Sequence, residues 1–265
     1  MRLLDFLQNL PLPAMFLCTL GIALAFCWTI LMVVRLCIRS LVRDPTVPLP
    51  IRDTIIGALS AIFALMMAFS AAGIWSDTLQ AQTAVQRESN ALENTVALAG
   101  SLPPDLAEKV RESVHEYSNK VVERDWPAMA RKIDLNDPVY EISDQVLVDL
   151  LSGISLEHER VANLPTLAPL MNQIIEARSA RLARITLANA GVTGAQWIAM
   201  FMLALAALLA VAVCNNHHFG MQAASMNLYA LAATAAFFVL LAHDRPFVGS
   251  ISVSPAPIEH LTITK

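Results

Sequence analysis

The stretch that most constrains this chain is residues 55–75, IIGALSAIFALMMAFSAAGIW. It carries no charge and no proline, and Trp75 closes it where an interfacial anchor would sit. A bilayer takes about 20 apolar residues to cross as a helix, so this run is long enough. The polar residues that follow continue a helical pattern without a break, which predicts one rod entering an extramembrane helical domain. Three further blocks have the same character: 14–34, 195–213 and about 223–242. The chain is 56% hydrophobic and 15% charged, with a mean hydropathy of +0.54. Soluble domains carry about a quarter charged residues. The expected class is an all-α, multi-pass membrane protein with four transmembrane helices, a helical domain between spans two and three, and an extended C-terminal tail. The expected divisions are 1–75 (leader and spans one and two), 76–194 (extramembrane domain), 195–242 (spans three and four) and 243–265 (tail).

Met1 to Pro13 reads as a leader, a short interfacial helix ended by Pro11 and Pro13. Span one is too long, and its n-region too weakly basic, for a cleaved signal peptide. Arg35, Arg39, Arg43 and Arg52 crowd the short loop after it. Basic residues in short loops resist translocation, so loop 35–53 is expected in the cytoplasm and domain 76–194 in the periplasm of a bacterial inner membrane. Arg178, Arg181 and Arg184, ahead of span three, are the opposing signal.

The net charge of −4 gives no reason to expect nucleic acid. Cys18, Cys27, Cys37 and Cys214 lie in or beside apolar blocks, at spacings that suit neither disulfides nor a metal. His217-His218 is a poor metal site without further ligands nearby. The chain lacks a phosphate loop, a GxSxG elbow and an HExxH helix, so neither an enzyme nor a cofactor is expected. The cores of the four spans hold no ionisable residue, which disfavours proton pumps and ion-coupled carriers.

In the polar middle, apolar residues recur at helical spacing. Leu106, Val110, Val114, Tyr117 and Val121 mark a helix running to about Asp125. Asp137-Pro138 opens another with Val139, Ile142, Val146 and Leu150 on its face. Pro165 and Pro169 precede a third, continuing to about Asn189. Leu156 to Asn163 reads as a charged connector.

Two constellations stand out. Glu88 lies thirteen residues past Trp75, and Arg184 thirteen residues before Trp197. At 1.5 Å per residue both reach ~20 Å along their helices. Glu93 aligns in the same way with Arg178 and Arg181, and Asp244 and Arg245 follow the last span. Ion pairs locking helices and tail together are the favoured reading, against a ring of charge at a pore vestibule. The second constellation is the small-residue face of span two: Gly57, Ala61, Ala64, Ala68 and Ala72, on one side of the helix. Close helix packing explains it. A narrow pore lined by Gly57, Ser60, Ala64, Met67 and Ala68 is the sharper reading, with Phe63 and Met67 as a dewetting gate.

The tail carries Asp244-Arg245-Pro246-Phe247 with Gly249, then Val253-Ser254-Pro255 with Pro257. Together with Glu88 and Asn90 on the rod and Arg181-Leu182 before span three, this resembles the bacterial bestrophin-like domain family. The resemblance implies two spans, a helical region and two more spans, as in the bestrophins, which are pentameric anion channels. It thus implies a homo-oligomer, a pentamer by analogy, passing ions across the lipid bilayer. The soluble region is smaller than a bestrophin's, and the aromatic pore neck and acidic calcium clasp have no clear counterpart. The alternative is a non-conducting sensor or scaffold whose helical domain binds a protein partner.

Overall fold

The computed structural model describes residues 10–41, 53–131, 137–215, 218–249 and 251–263. The leader before residue 10, Arg43, Arg52, His217 and the side chain of Arg39 lie outside the described residues. Every regular element among the described residues is helical. In order they are α1 (Leu12–Leu41), α2 (Asp53–Ala99), α3 (Pro104–Lys120), a π-helical turn (Val121–Asp125) and α4 (Trp126–Ala130). Then come α5 (Pro138–Leu156), α6 (His158–Val161), α7 (Leu167–Ala188), α8 (Gly194–Cys214), α9 (Phe219–His243) and α10 (Ala256–Ile263). Four of them, α1, α2, α8 and α9, are long and apolar enough to cross a membrane. The expected rod is present as the unbroken α2.

The chain forms two compact units, residues 1–75 with 191–244 and residues 76–190 with 245–265; α2 contributes to both. In the first unit, Met15, Phe63, Met67, Trp197, Met200 and Leu241 build one apolar cluster. Cys27, Leu31, Leu208, Ala212 and Met226 build another. Gln222 is fully buried, accepts from Arg35 Nε at 2.8 Å and donates to the Ala212 carbonyl at 2.6 Å. The Arg35 guanidinium lies 4.6 Å from the centre of the Phe219 ring. An arginine at a span end thus finds both a partner and an aromatic face, which lowers the cost of holding it there.

Entry into α8 is fixed locally. Thr193 and Gln196 form a reciprocal capping box, with Gln196 N donating to Thr193 Oγ1 at 3.3 Å and Thr193 N donating to Gln196 Oε1 at 2.9 Å. Just before it, Asp244 Oδ1 accepts from Val192 N at 2.7 Å. Gly191 makes that approach feasible. Its φ is +146°, and a Cβ there would lie 2.8 Å from the Asp244 carbonyl oxygen.

The second unit packs α2, α3, α5 and α7 around Val85, Leu92, Val110, Leu147, Leu170 and Ile174. Asp137 caps α5 by accepting from Val139 N at 2.9 Å, with Pro138 in the first turn. The charged connector holds the short α6. The tail departs from the extended expectation in its last part. Phe247 and Val253 are buried in extended or turning chain, but residues 256–263 form α10, whose Ile258 is fully buried. Proline is tolerated in a first turn, so Pro257 does not prevent the helix. Ser254 Oγ accepts from Ala256 N at 3.2 Å and starts it. Ser89 Oγ on α2 donates to the Pro257 carbonyl at 2.6 Å and ties it down.

Gly191→Ala should lower stability by roughly 1–3 kcal/mol, the cost of an unsuitable backbone conformation plus displacement of Asp244. Thermal unfolding of detergent-solubilised protein checks this; an unchanged melting temperature would mean that the joint can relax.

Candidate functional site

Glu88 and Arg184 meet. Arg184 Nε lies 2.6 Å from Glu88 Oε2, and Arg184 Nη2 lies 3.0 Å from Oε1, a two-point pair with no exposed surface on either side chain. Asp125 Oδ2 lies 3.4 Å from Arg184 Nη2 and 3.3 Å from Arg181 Nη2. Tyr117 donates its hydroxyl to Glu88 Oε1 at 2.6 Å, and Ser143 donates to Asp125 Oδ1 at 2.8 Å. Arg181 also donates to the Tyr140 carbonyl and to Ser143 Oγ. Two carboxylates thus balance two guanidiniums inside the helical unit, drawn from α2, the π turn and α7.

The π turn explains how Asp125 gets there. Pro127 has no N–H to give, so the ordinary ladder fails ahead of it. The chain widens instead, and Trp126 N bonds the Val121 carbonyl five residues back. Consecutive residues then reach one target. Asp125 meets the Arg184 guanidinium, and the Trp126 ring lies 5.1 Å from it. Phe247 of the tail packs edge-on against the same Trp126 ring, centroids 5.5 Å apart. Gly249 follows with φ +85°, a left-handed turn suited to glycine. The tail motif and the charge cluster therefore meet on one indole.

Burial dominates the electrostatics. It pushes the Asp125 carboxyl up, and the two arginines and the Ser143 bond only partly offset it. Burial also pushes Tyr117 far above its usual range, with the Glu88 charge adding to it. For Arg184 burial is the largest influence and pulls down, but Glu88, Tyr117 and Asp125 together outweigh it, so the guanidinium stays charged. At the half-exposed edge, the Arg178 hydrogen bonds to Asp144, 2.7 and 3.0 Å, hold that carboxyl below its usual range.

The pairing expected for Glu93 differs. Glu93 does not join Arg178 or Arg181; it sits 2.8 Å from His260 Nε2 of α10. Five residues turn a helix by ~500°, leaving Glu93 ~140° away from Glu88 around α2. Asp244 Oδ1 accepts from Val192 N just ahead of the α8 cap, and the Arg245 carbonyl accepts from Val248 N. Spacing alone missed Asp125 and Tyr117. The clue was Asp-Trp-Pro, a charged residue followed by an interruption in a helix.

Span two is polarised. Phe63, Met67, Ser70 and Ile74 are buried within their own unit. Gly57, Ala61, Ala64, Ala68 and Ala72 are exposed, and Ser60 is partly buried. Met67, 7% exposed, is therefore on the inner flank, ~60° from Ala64, and packs with Phe63 against α8 and α9. No group of three or more His, Cys, Asp or Glu among the described residues could hold a metal.

A model of the Bestrophin-like domain matches residues 21–258. The chain belongs to the bestrophin-like domain family. Solved structures carry the same fold. One, a variant of a bacterial bestrophin homologue from Klebsiella pneumoniae, is 14% identical; the match covers 92% of this chain and 96% of that one, with a TM-score of 0.69. Another variant of a bacterial bestrophin homologue from that organism gives 14%, 92%, 98% and 0.66. A structure described as a membrane protein gives 12%, 92%, 96% and 0.68. No curated protein matches.

Removing one partner of a buried pair leaves the other charge uncompensated, so Glu88→Ala or Arg184→Ala should each cost about 3–5 kcal/mol. The double substitution Glu88→Met with Arg184→Met should recover much of that, which thermal melts of the four proteins measure as a coupling energy. A second expectation follows from Asp144. Its folded pKa lies below the unfolded value of about 3.9, so its contribution is complete above that pH and is lost as pH falls through the lower value. Arg178→Met should shrink this acid-side loss in melting temperature between about pH 5 and pH 2.

Proposed function

We propose that this bestrophin-like protein is the subunit of an ion channel, several copies surrounding an axis lined by the outward face of span two. The observation that carries this reading is the uncovered row of small residues. Membrane helices associate through small residues, because lipid gives no hydrophobic drive toward association. This chain leaves Gly57, Ala61, Ala64, Ala68 and Ala72 outside its own core. Beside them Leu65, Phe69 and Ile62 are also exposed, at 56%, 68% and 51%. The small half suits a narrow path and the bulky half suits a neighbouring copy. Gly57, Ala64 and Ala68 form the lining, with Ser60 at its margin as the sparse polar contact. Met67 is left out, because its own unit encloses it. Five copies and a preference for anions come from the family likeness.

The charge cluster, on this reading, is scaffold rather than filter. Its charges are mutually satisfied and enclosed, whereas a selectivity ring presents charge to passing ions. Loop 35–53 is placed in the cytoplasm by its arginines. A phosphatase reporter fused at Thr46 should then be silent; activity there overturns this orientation.

Purified protein in liposomes should pass ions, and Ala64→Trp should cut the flux roughly tenfold or more by filling the path. Phe69→Trp, on the bulky half, should leave it within about twofold. Liposomes that pass no ions, or equal flux from wild type and Ala64→Trp, would sink the channel reading and favour the scaffold.

A further inference from the structure

α2 runs unbroken from Asp53 to Ala99, so one face can be followed along its whole length. At 100° per residue, the face that carries Gly57, Ala61, Ala64, Ala68 and Ala72 continues through Trp75, Leu79, Gln82, Gln86 and Asn90, all within about 40° of its mean direction. Each of these positions is exposed. From Gly57 to Asn90, ~50 Å at 1.5 Å per residue, the face holds no charged side chain.

Beyond Trp75 this face changes from hydrocarbon to carboxamide. Gln82, Gln86 and Asn90 follow one another at intervals of about a turn, and Gln86 Nε2 donates to Asn90 Oδ1 at 2.9 Å. The charges of α2 are drawn off to its sides. Arg87, about 100° round from Gln86, donates from Nε to Glu176 on α7 at 2.9 Å. Glu93, next on the face after Asn90, sits 2.8 Å from His260 Nε2 of α10. A helix of this protein with an ordinary solvated face looks different. On α3 every exposed position after Pro104 is charged: Asp105, Glu108, Lys109, Arg111, Glu112 and Glu116. Contact with bulk water thus does not explain why the row on α2 is neutral.

The chemistry of the row suits ions without selecting their sign. A carboxamide has a carbonyl oxygen and two N–H groups, so it can replace part of the hydration of a cation or of an anion. A ring of carboxylate or ammonium groups instead admits one sign and repels the other. Repeated around a shared axis, Gln82, Gln86 and Asn90 present dipoles and no net charge.

We propose that these three residues line the ion path beyond the membrane, as a neutral carboxamide section that leaves the sign of the passing ion unselected. This rests on the channel reading, which sets the small face of the same helix on the axis. A charge placed in the section therefore creates a sign preference that the native residues do not impose.

The test uses the full chain in liposomes, with potassium chloride as the probe. Gln86→Glu should raise the potassium-to-chloride permeability ratio roughly tenfold over wild type, and Gln86→Lys should lower it by a similar factor. Glu112→Lys on α3 is a larger change of charge away from the row and should leave the ratio within about twofold. Should the Gln86 variants fail to assemble, Gln82→Glu and Gln82→Lys repeat the comparison. A second readout needs no flux. In a background whose native cysteines are replaced by alanine, nitroxide labels on Gln86→Cys should lie closer together between copies than labels on Glu112→Cys, as dipolar electron-spin spectroscopy measures. Equal ratios in the two Gln86 variants, a shift in Glu112→Lys as large as theirs, or label distances no shorter from Gln86→Cys overturns the proposal. Wild-type liposomes that pass no ions overturn the channel reading and this section with it. Conducting variants with unshifted ratios overturn the section alone.

Discussion

Arg184 is the largest side chain in the helical unit without exposed surface, and its charge must be met from within. An isolated guanidinium in so dry a place would cost several kcal/mol. Glu88 meets it with two oxygens, Asp125 with a third, and Trp126 with its ring face. These partners come from separate elements, so forming the cluster selects one arrangement of α2, the π turn and α7. A hydrophobic core tolerates sliding, since one leucine contact resembles another. A balanced set of four buried charges does not, because a displaced helix strands a charge. The cluster's contribution is therefore chiefly to uniqueness, and its net contribution to stability is small, the desolvation cost offsetting much of the attraction.

The π turn follows from the same demand. The extra residue of the π turn shifts Asp125 and Trp126 relative to an α-helical register, and in the observed register both meet Arg184. The inserted residue widens the turn so that both serve Arg184. Pro127 makes this cheap, since the hydrogen bond lost at the turn is one that proline could not have made. Trp126 then offers its remaining edge to Phe247, and Gly249 turns the tail away after that contact. The residues of the Asp-Arg-Pro-Phe tail segment thus have separate mechanical tasks. Asp244 holds Val192 N just ahead of the α8 cap, Pro246 offers its carbonyl to Val253 N, and Phe247 fills the indole edge.

How far the sequence carried the fold depends on what each feature needs. The spans were legible because a charge-free run has few alternatives in water. The Glu88–Arg184 pair was legible from equal counts of thirteen residues to Trp75 and Trp197; the count along α2 is unbroken, whereas residues 189–193 interrupt the helix between Arg184 and Trp197. Glu93 was misassigned because counting along a helix ignores its rotation. Asp125 and Tyr117 were not seen as cluster members. Tyr117 fits an apolar stripe equally well, and Asp125 reaches the core only after a register change that periodicity assumes away. The helix in the tail was hidden by Pro255 and Pro257, which signal extension until Ser254, just ahead of both, is recognised as accepting from Ala256 N at the start of the helix. On span two, spacing found the small-residue face. It did not find the boundary that puts Met67 inside, because that boundary is set by neighbours 130 or more positions away, Trp197, Met200, Leu240 and Leu241.

The way span two uses its two faces bears on what the molecule is for. In lipid, bulky apolar groups gain little by leaving the solvent, so helices that must hold together usually put small residues inward and approach closely. Span two does the reverse. It meets its own unit through Phe63, Met67 and Ile74, with Phe63 reaching Phe237 and, through it, the Trp197–Phe201 stack. The small face is left outside, where nothing in the chain benefits from it. A row of glycine and alanine gains nothing from lipid contact that leucine would not supply with better helix propensity than glycine. On the proposed channel reading these residues would sit near an axis shared with other copies, with bulky Phe69 and Leu65 toward the neighbour. Under that proposal the inner aromatic packing fixes span two within its own unit and leaves free the surface that the axis would use.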